Sequence, residues 1–266
     1  MPDLNVAGKQ RKVIMQANKD GFYYVIDRVN GQFISAQPFS TVNWAKGIDQ
    51  KTGRPIVNPE AIYGKESISI SPGGGGAHNW SPMSFNPNTG LVYIPTSTTS
   101  SPFTYAAADT YPGTGTGTAR PAPPNPLPSP PAIGPPPLEG QGNRGALVAW
   151  DPVAQQMKWR MPGGGGIGGG TVTTAGNLVF QAINDGRLVA YSADKGEKLL
   201  EIQTGLRGGM GPPITYQLDG KQYVAVMGGT GPVQPRNGQA AAAPATPPAT
   251  PPAPPVPPKL LTYSLP

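Results

Sequence analysis

The chain has 266 residues, including 37 glycines, 36 prolines and no cysteine, and it carries a formal net charge of +6. Without cysteine it has no disulfide, no thiolate metal site and no Cys-x-x-Cys-His haem attachment. Its basic residues form no run of five, so the sequence predicts no nucleic-acid partner. A basic balance of this size favours either anionic small molecules or simple solubility.

Short apolar segments follow one another along the chain, and each is rich in β-branched or aromatic residues. They lie at residues 12–16, 22–26, 91–94, 146–150, 178–180, 188–191 and 223–227. Such segments are typical of β-strands. No window of a dozen residues combines helical apolar spacing with helix caps, so the sequence predicts an all-β fold.

A longer unit repeats along the chain: a glycine, an apolar strand, a polar turn that often ends in glycine, and a second apolar strand. Copies lie at residues 21–34, 145–159 and 186–200, with a degenerate copy at 259–265. The last two copies are each preceded by another strand pair. Four antiparallel strands per repeat are typical of a β-propeller blade. The sequence therefore predicts four blades, at residues 8–40, 77–162, 168–205 and 209–264.

Two low-complexity inserts interrupt these blades, at residues 100–142 and 232–258. Both are rich in proline, alanine or glycine and contain too little apolar surface to order themselves. They are predicted to be disordered or polyproline-like loops. A polyproline ligand role of the SH3 type is the less favoured alternative.

Residues 12–28, KVIMQANKDGFYYVIDR, resemble the quinoprotein alcohol dehydrogenases that use pyrroloquinoline quinone (PQQ), in their ethanol or quinohaemoprotein branch. Further matching segments follow in the same order, at residues 41–49, 51–60, 76–87, 89–95, 169–180 and 220–227. The resemblance covers nearly all of the chain except the inserts. It implies that residues 1–266 are the C-terminal part of a single propeller domain, about four four-stranded blades of an eight-bladed propeller, with long Pro/Gly-rich loops.

The resemblance also implies an activity. Family members hold PQQ and Ca²⁺ near the propeller axis, oxidise primary alcohols to aldehydes in the periplasm and pass electrons to a cytochrome. The implied partners are a small alcohol substrate, a cytochrome c and the missing N-terminal half of the propeller. The chain's own start lacks the pattern of a signal peptide, and no run of 18 apolar residues is present.

In the family, the calcium ligands, the catalytic aspartate and the tryptophan that stacks on PQQ all precede the stretch represented here. The resemblance therefore predicts no catalytic residue and no metal ligand in this chain, which alone is expected to be inactive. A truncated chain, a split enzyme and a dimer of half-rings all fit this pattern. A non-catalytic propeller scaffold with PQQ-like repeats, serving protein assembly, is the alternative function.

The resemblance implies five cofactor-binding residues: Lys19, Asn43, Trp44, Gly168 and Gly169. Lys19 matches a basic residue that contacts the quinone carbonyls, where an ammonium would stabilise developing negative charge. Asn43 and Trp44 match a position beside a PQQ carboxylate, and amide donors suit an anionic acceptor. The two glycines match a cofactor-facing turn and would act through their backbone. Without the resemblance, Lys19 would be a solvated turn residue and Trp44 an ordinary packed aromatic.

Several other residues are predicted to be structural. His78 is the only histidine and has no carboxylate cluster near it in sequence, so structural hydrogen bonds are favoured over a metal or general-base role. Asp20, Asp27 and Asp49 belong to turn or blade motifs and are not proposed as bases. The remaining tryptophans, Trp80, Trp150 and Trp159, are predicted to be core or blade-docking aromatics.

Overall fold

The protein is represented by a computed structural model that describes residues 2–64, 66–104, 127–138, 145–163, 169–206, 210–229 and 258–264. In these ranges the regular structure is almost entirely β-strand, with one short 3-10 helix at Pro59–Ala61. The all-β prediction is confirmed. Within the same ranges, no helix has the length and apolar character needed to cross a membrane.

Four antiparallel sheets follow one another along the chain and correspond to the predicted blades. Blade 1 contains β1 (Asp3–Val6), β2 (Lys9–Ala17), β3 (Phe22–Asp27) and β4 (Phe33–Pro38). Two small sheets come next, formed by β5 (Ala45–Ile48) with β6 (Pro55–Val57) and by β7 (Ile68–Ile70) with β10 (Ser101–Phe103).

The remaining strands form blades 2 to 4. Blade 2 contains β8 (Ser84–Asn86), β9 (Leu91–Ser97), β11 (Gly145–Asp151) and β12 (Gln156–Pro162). Blade 3 contains β13 (Thr171–Thr173), β14 (Leu178–Ala182), β15 (Arg187–Ser192) and β16 (Lys198–Gln203). Blade 4 contains β17 (Ile214–Leu218), β18 (Lys221–Gly228) and β19 (Lys259–Ser264), so three of its strands lie in the described ranges. The register shifts at the equivalent point of the last two strands in blades 1, 2 and 3, which shows that these hairpins are true repeats.

The blades pack face to face in series, because alternate side chains of a strand point to opposite faces of its sheet. In β9, Val92 and Ile94 pack toward blade 1, whereas Leu91 and Tyr93 pack toward blade 3. A third cluster, which includes Phe180 and Val224, joins blade 3 to blade 4. Blades 2 and 3 therefore bury both faces, as consecutive propeller blades do.

Two of the predicted core tryptophans are confirmed. Trp150 is buried between blades 1 and 2. Trp159 donates from Nε1 to Ala193 O at 3.1 Å and lies between Tyr93 and Tyr191, with ring centroids 5.7 and 6.3 Å away. Trp80 is not a core residue, because about half of its surface is exposed.

Part of the first insert packs on the blades, although its composition predicted a disordered or polyproline-like loop. Ile133 forms an antiparallel bridge with Val42, and Pro136 O accepts a hydrogen bond of 2.7 Å from Arg160 of blade 2. Residues 127–138 thus connect the covering of blade 1 with blade 2. Residues 105–126 and 139–144, and the second insert up to residue 257, lie outside the described residues.

The outward face of blade 4 is apolar and exposed. We call it the open face and define it by Ile214, Tyr216, Leu218, Met227 and Leu260, which are 41% to 65% exposed. They share one face because Ile214 pairs with Ala225 and Met227 pairs with Leu260, while the intervening Val224 and Val226 point toward blade 3. No residue in the described ranges covers this face as blade 4 covers blade 3.

Candidate cofactor site

The turn between β2 and β3, residues 18–21, carries Lys19. The side-chain oxygen of Asn18 accepts a hydrogen bond of 2.8 Å from Lys19 N–H. The backbone carbonyl of Asn18 accepts one of 3.1 Å from Gly21 N–H. Gly21 has φ of +97°, and a Cβ there would lie 2.5 Å from Val42 Cγ2. Glycine is therefore required at the end of this turn, both for its conformation and for the close approach.

The Lys19 side chain is exposed, and no residue in the described ranges forms an ion pair or a hydrogen bond with its ammonium. Its backbone, by contrast, is fixed. Lys19 O accepts a hydrogen bond of 3.0 Å from Ala77 N–H, and its Cγ lies so close to Gly76 that a Cβ on that glycine would overlap it. The turn thus presents a free positive charge from a rigid base.

Asn43 is buried, and backbone groups on both sides hold its amide. Nδ2 donates to Ser69 O at 2.9 Å, and Oδ1 accepts from Ser71 N–H at 2.8 Å. The second Nδ2 hydrogen has no acceptor among the described residues. Asn43 therefore fixes the 69–71 segment and has one donor hydrogen left for a ligand.

Trp44 links this segment to the Lys19 turn. Its Nε1 donates to Asp20 O at 2.9 Å, and its ring meets Phe22 edge-on, with a centroid distance of 6.0 Å. Since the indole N–H is occupied, the side chain of Trp44 could contact a cofactor only through its ring. The structure brings Lys19, Asn43 and Trp44 together, and their contact with PQQ stays a prediction.

Of the two predicted glycines, the structure describes Gly169. Gly169 is at the boundary of blades 3 and 4, where its N–H donates to Met210 O at 3.0 Å and a Cβ would overlap Ala182 O. Because this N–H is occupied, a backbone contact with a cofactor would have to use the carbonyl. Gly168 lies outside the described residues.

Asp20, which the sequence analysis set aside as a turn residue, has more contacts than that role requires. Its carboxylate accepts hydrogen bonds from Phe22 N–H (2.9 Å), Tyr24 OH (2.9 Å) and Asn18 Nδ2 (3.2 Å). Burial raises the pKa of the Asp20 carboxyl above its usual range, against the effect of these hydrogen bonds. The spacing of Asn18, Asp20 and Gly21 indicates a turn, but nothing local in the sequence indicates the contact with Trp44.

His78 has the structural role predicted for it. It is buried, and its Nδ1 donates to Pro95 O at 2.8 Å, which fixes the tautomer. Burial lowers the pKa of His78 below its ordinary value. In the part of the chain that the structure describes, no three His, Asp or Glu side chains form a group that could hold a metal.

The lowered pKa of His78 predicts a loss of stability in mild acid. Above pH about 6.5 the imidazole is neutral in both states, but below it the unfolded chain binds the proton more readily than the folded one. The free energy of unfolding should fall by at most about 1.4 kcal/mol per pH unit between the unfolded and folded pKa values. Thermal unfolding of the wild type and of His78→Gln, from pH 7.5 to 5, measures this. Parallel curves for the two proteins would contradict it.

Comparison with known proteins agrees with this architecture. The family model for the β-propeller domain of glucose, ethanol and alcohol dehydrogenases, named for PQQ, matches residues 142–224. Quinohemoprotein alcohol dehydrogenase ADH IIB of Pseudomonas putida is 44% identical over 235 residues, which are 88% of this chain and 32% of that protein. The 1-butanol dehydrogenase (cytochrome c) of Thauera butanivorans is 40% identical over 233 residues, 88% of this chain and 33% of the relative.

A solved structure gives the same result. The crystal structure of quinohemoprotein alcohol dehydrogenase from Comamonas testosteroni matches with a TM-score of 0.69 and 42% identity, over 85% of this chain and 33% of that one. The chain spans about a third of the length of the relatives it matches. In sequence and in fold, this chain is similar to about a third of the length of the quinohemoprotein alcohol dehydrogenases, as a partial propeller.

Proposed function

We propose that this chain is part of a periplasmic PQQ-dependent dehydrogenase that oxidises primary alcohols to aldehydes and transfers electrons to a cytochrome c. The names of the relatives support the reaction, and that of the Thauera butanivorans protein supports the acceptor. One observation in this structure carries the proposal: the free ammonium of Lys19 is held on a rigid turn that is hydrogen-bonded to the Asn43–Trp44 segment.

The side chains at this site fit PQQ, which is a flat aromatic quinone with three carboxylates. Among the described residues, Lys19 has no partner for its cation and Asn43 has one amide hydrogen without an acceptor, while Trp44 offers an indole ring whose N–H is already occupied. A cation, a directed donor and an aromatic surface are complementary to an anionic aromatic ligand. When bound, PQQ would supply the two-electron acceptor.

Each residue then has a distinct task. The Lys19 ammonium would lie beside a carbonyl oxygen and stabilise negative charge there as electrons arrive. Asn43 would orient an anionic group with its free hydrogen, while its two backbone contacts prevent it from rotating. The described residues contain no ligand set that fits Ca²⁺, so the proposal assigns no metal-dependent step to them.

The proposal is tested by titrating the purified chain with PQQ and Ca²⁺ while following quinone absorbance and dye-linked ethanol oxidation. The titration is repeated with the chain coexpressed with the N-terminal part of the Pseudomonas putida relative. We expect turnover only in the assembled complex. An assembled complex that neither binds PQQ nor oxidises alcohols would contradict the proposal and favour the non-catalytic scaffold.

We further propose that the open face is where the remaining blades of the propeller pack. A blade face with five large apolar side chains between 41% and 65% exposed is unfavourable in water, and blades 2 and 3 bury both of their faces against neighbouring blades. The partner is therefore a second β-sheet with an apolar face of its own.

Replacing Leu218 and Met227 together with glutamine should weaken this assembly. Coprecipitation with the N-terminal part of the relative is expected to fall about tenfold or more. Each substitution removes about 1–2 kcal/mol of the binding free energy that comes from burying an apolar side chain. The control is Val29→Gln, which alters a side chain that is 73% exposed on a turn of blade 1. Equal coprecipitation of the double variant and the control would contradict the assignment of this face.

A further inference from the structure

Asp20 occupies a central position in the candidate site. Its carboxylate accepts hydrogen bonds from Asn18 and Phe22, on either side of it in the turn, and from the hydroxyl of Tyr24 in β3. These three contacts hold the conformation of the whole turn. Of the two side-chain donors, Tyr24 lies in β3, whereas Asn18 follows β2 directly and belongs to the turn.

The main chain of the same residue is bound from another direction. Asp20 O accepts the hydrogen bond from Trp44 Nε1 at 2.9 Å, while the preceding carbonyl, Lys19 O, accepts from Ala77 N–H at 3.0 Å. The two peptide groups that flank Asp20 are therefore each tied to a different segment. A rotation of this residue would move Lys19 and Trp44 together.

We propose that Asp20 is a positioning residue that sets the relative placement of the Lys19 ammonium and the Trp44 ring. The inference rests on the proposed function, because the placement matters for activity only if PQQ binds at this site. It concerns geometry and assigns Asp20 no part in proton transfer.

The cost of the arrangement supports this role. Asp49 also closes a turn, by accepting from Lys51 N–H at 2.8 Å, but there the hydrogen bond has the largest effect and lowers the pKa of the carboxyl. Asp20 instead keeps its carboxylate partly buried, and burial has the largest effect on its pKa. Unfavourable burial of a hydrogen-bonded charge is typical of sites where position matters more than stability.

The first test needs no cofactor. The indole N–H resonance of Trp44, assigned with Trp44→Phe, is followed by ¹H–¹⁵N correlation spectroscopy in the full chain. Asp20→Ala is expected to shift or broaden this resonance, and Asp20→Asn, which keeps an acceptor for Phe22 N–H, should restore it in part. Asp49→Ala is the matched control, since it removes a similar turn contact elsewhere and should leave the Trp44 resonance unchanged.

The second test uses the assembled complex. Asp20→Ala should weaken PQQ binding about tenfold, because it removes the charged hydrogen-bond network that positions Lys19 and Trp44. Asp20→Asn should restore part of the affinity. If the Asp20→Ala variant has the same Trp44 resonance and the same PQQ affinity as the Asp49→Ala control, Asp20 is not a positioning residue. If the wild-type complex does not bind PQQ but Asp20→Ala still moves the Trp44 resonance, the proposed function fails while the structural coupling stands.

Discussion

Gly169→Ala is expected to destabilise the protein strongly, whereas Gly205→Ala costs little. Both glycines have φ of +73°, so alanine carries the same left-handed backbone penalty of about 1 kcal/mol at each. The surroundings differ. A Cβ at position 169 would overlap Ala182 O and lie 2.7 Å from Ala182 C, while at position 205 it would meet nothing within 4 Å.

The obstacle at position 169 cannot move easily, because it is backbone rather than a flexible side chain. Ala182 ends β14, where it pairs with Leu188 of β15. Relief of the overlap would disturb the hydrogen bond from Gly169 N–H to Met210 O, which joins blades 3 and 4. We therefore expect Gly169→Ala to lose about 3 kcal/mol or more of unfolding free energy. Urea unfolding of both variants measures this, and equal losses at the two positions would contradict the contact geometry.

Lys19→Gln is expected to weaken PQQ binding about 10- to 100-fold without lowering stability. The ammonium has no partner among the described residues, and the turn is held by backbone groups and by Asn18 and Asp20. Loss of one charged hydrogen bond costs about 1.5–3 kcal/mol, which corresponds to this range. The measurement is a PQQ titration of the assembled complex by quinone absorbance, with thermal unfolding of the same samples.

Two variants make the Lys19 experiment specific. Lys19→Arg keeps the charge and should retain more affinity than Lys19→Gln. Lys51→Gln removes the charge of an exposed lysine in another turn and should bind PQQ as the wild type does. An unchanged affinity in Lys19→Gln would refute the role assigned to this ammonium and leave Lys19 as a solvated turn residue.

The strands and their repeats were accessible from sequence because the determinants are local. Alternating apolar residues and glycine-closed turns predicted the hairpins of blades 1 to 3, and the structure places them there. The sequence missed β1 (Asp3–Val6), whose alternation is too short and polar to be distinctive, although it pairs fully with β2. The local sequence pattern therefore predicts a strand only where the strand contains several apolar residues.

The parts that sequence could not predict depend on distant contacts. The amide of Asn43 meets the backbone of Ser69 and Ser71, which are 26 and 28 residues away, and Trp44 reaches Asp20 across 24 residues. Composition predicted a disordered or polyproline-like loop at residues 100–142, yet Ile133 bridges Val42. Periodicity carries no information on such pairings, and the family resemblance proposed site residues but not the contacts that hold them.

The series of blade interfaces also determines how the protein loses structure. Blades 2 and 3 are held on both faces by separate apolar clusters, but within the described ranges blade 4 is held on one face only, by the cluster around Phe180 and Val224. In such a linear array, each unit depends on its nearest neighbours, and an end unit can detach without breaking the contacts between the others. As long as the open face is uncovered, blade 4 can therefore open locally while the Lys19 turn, three blades away along the series, keeps its shape.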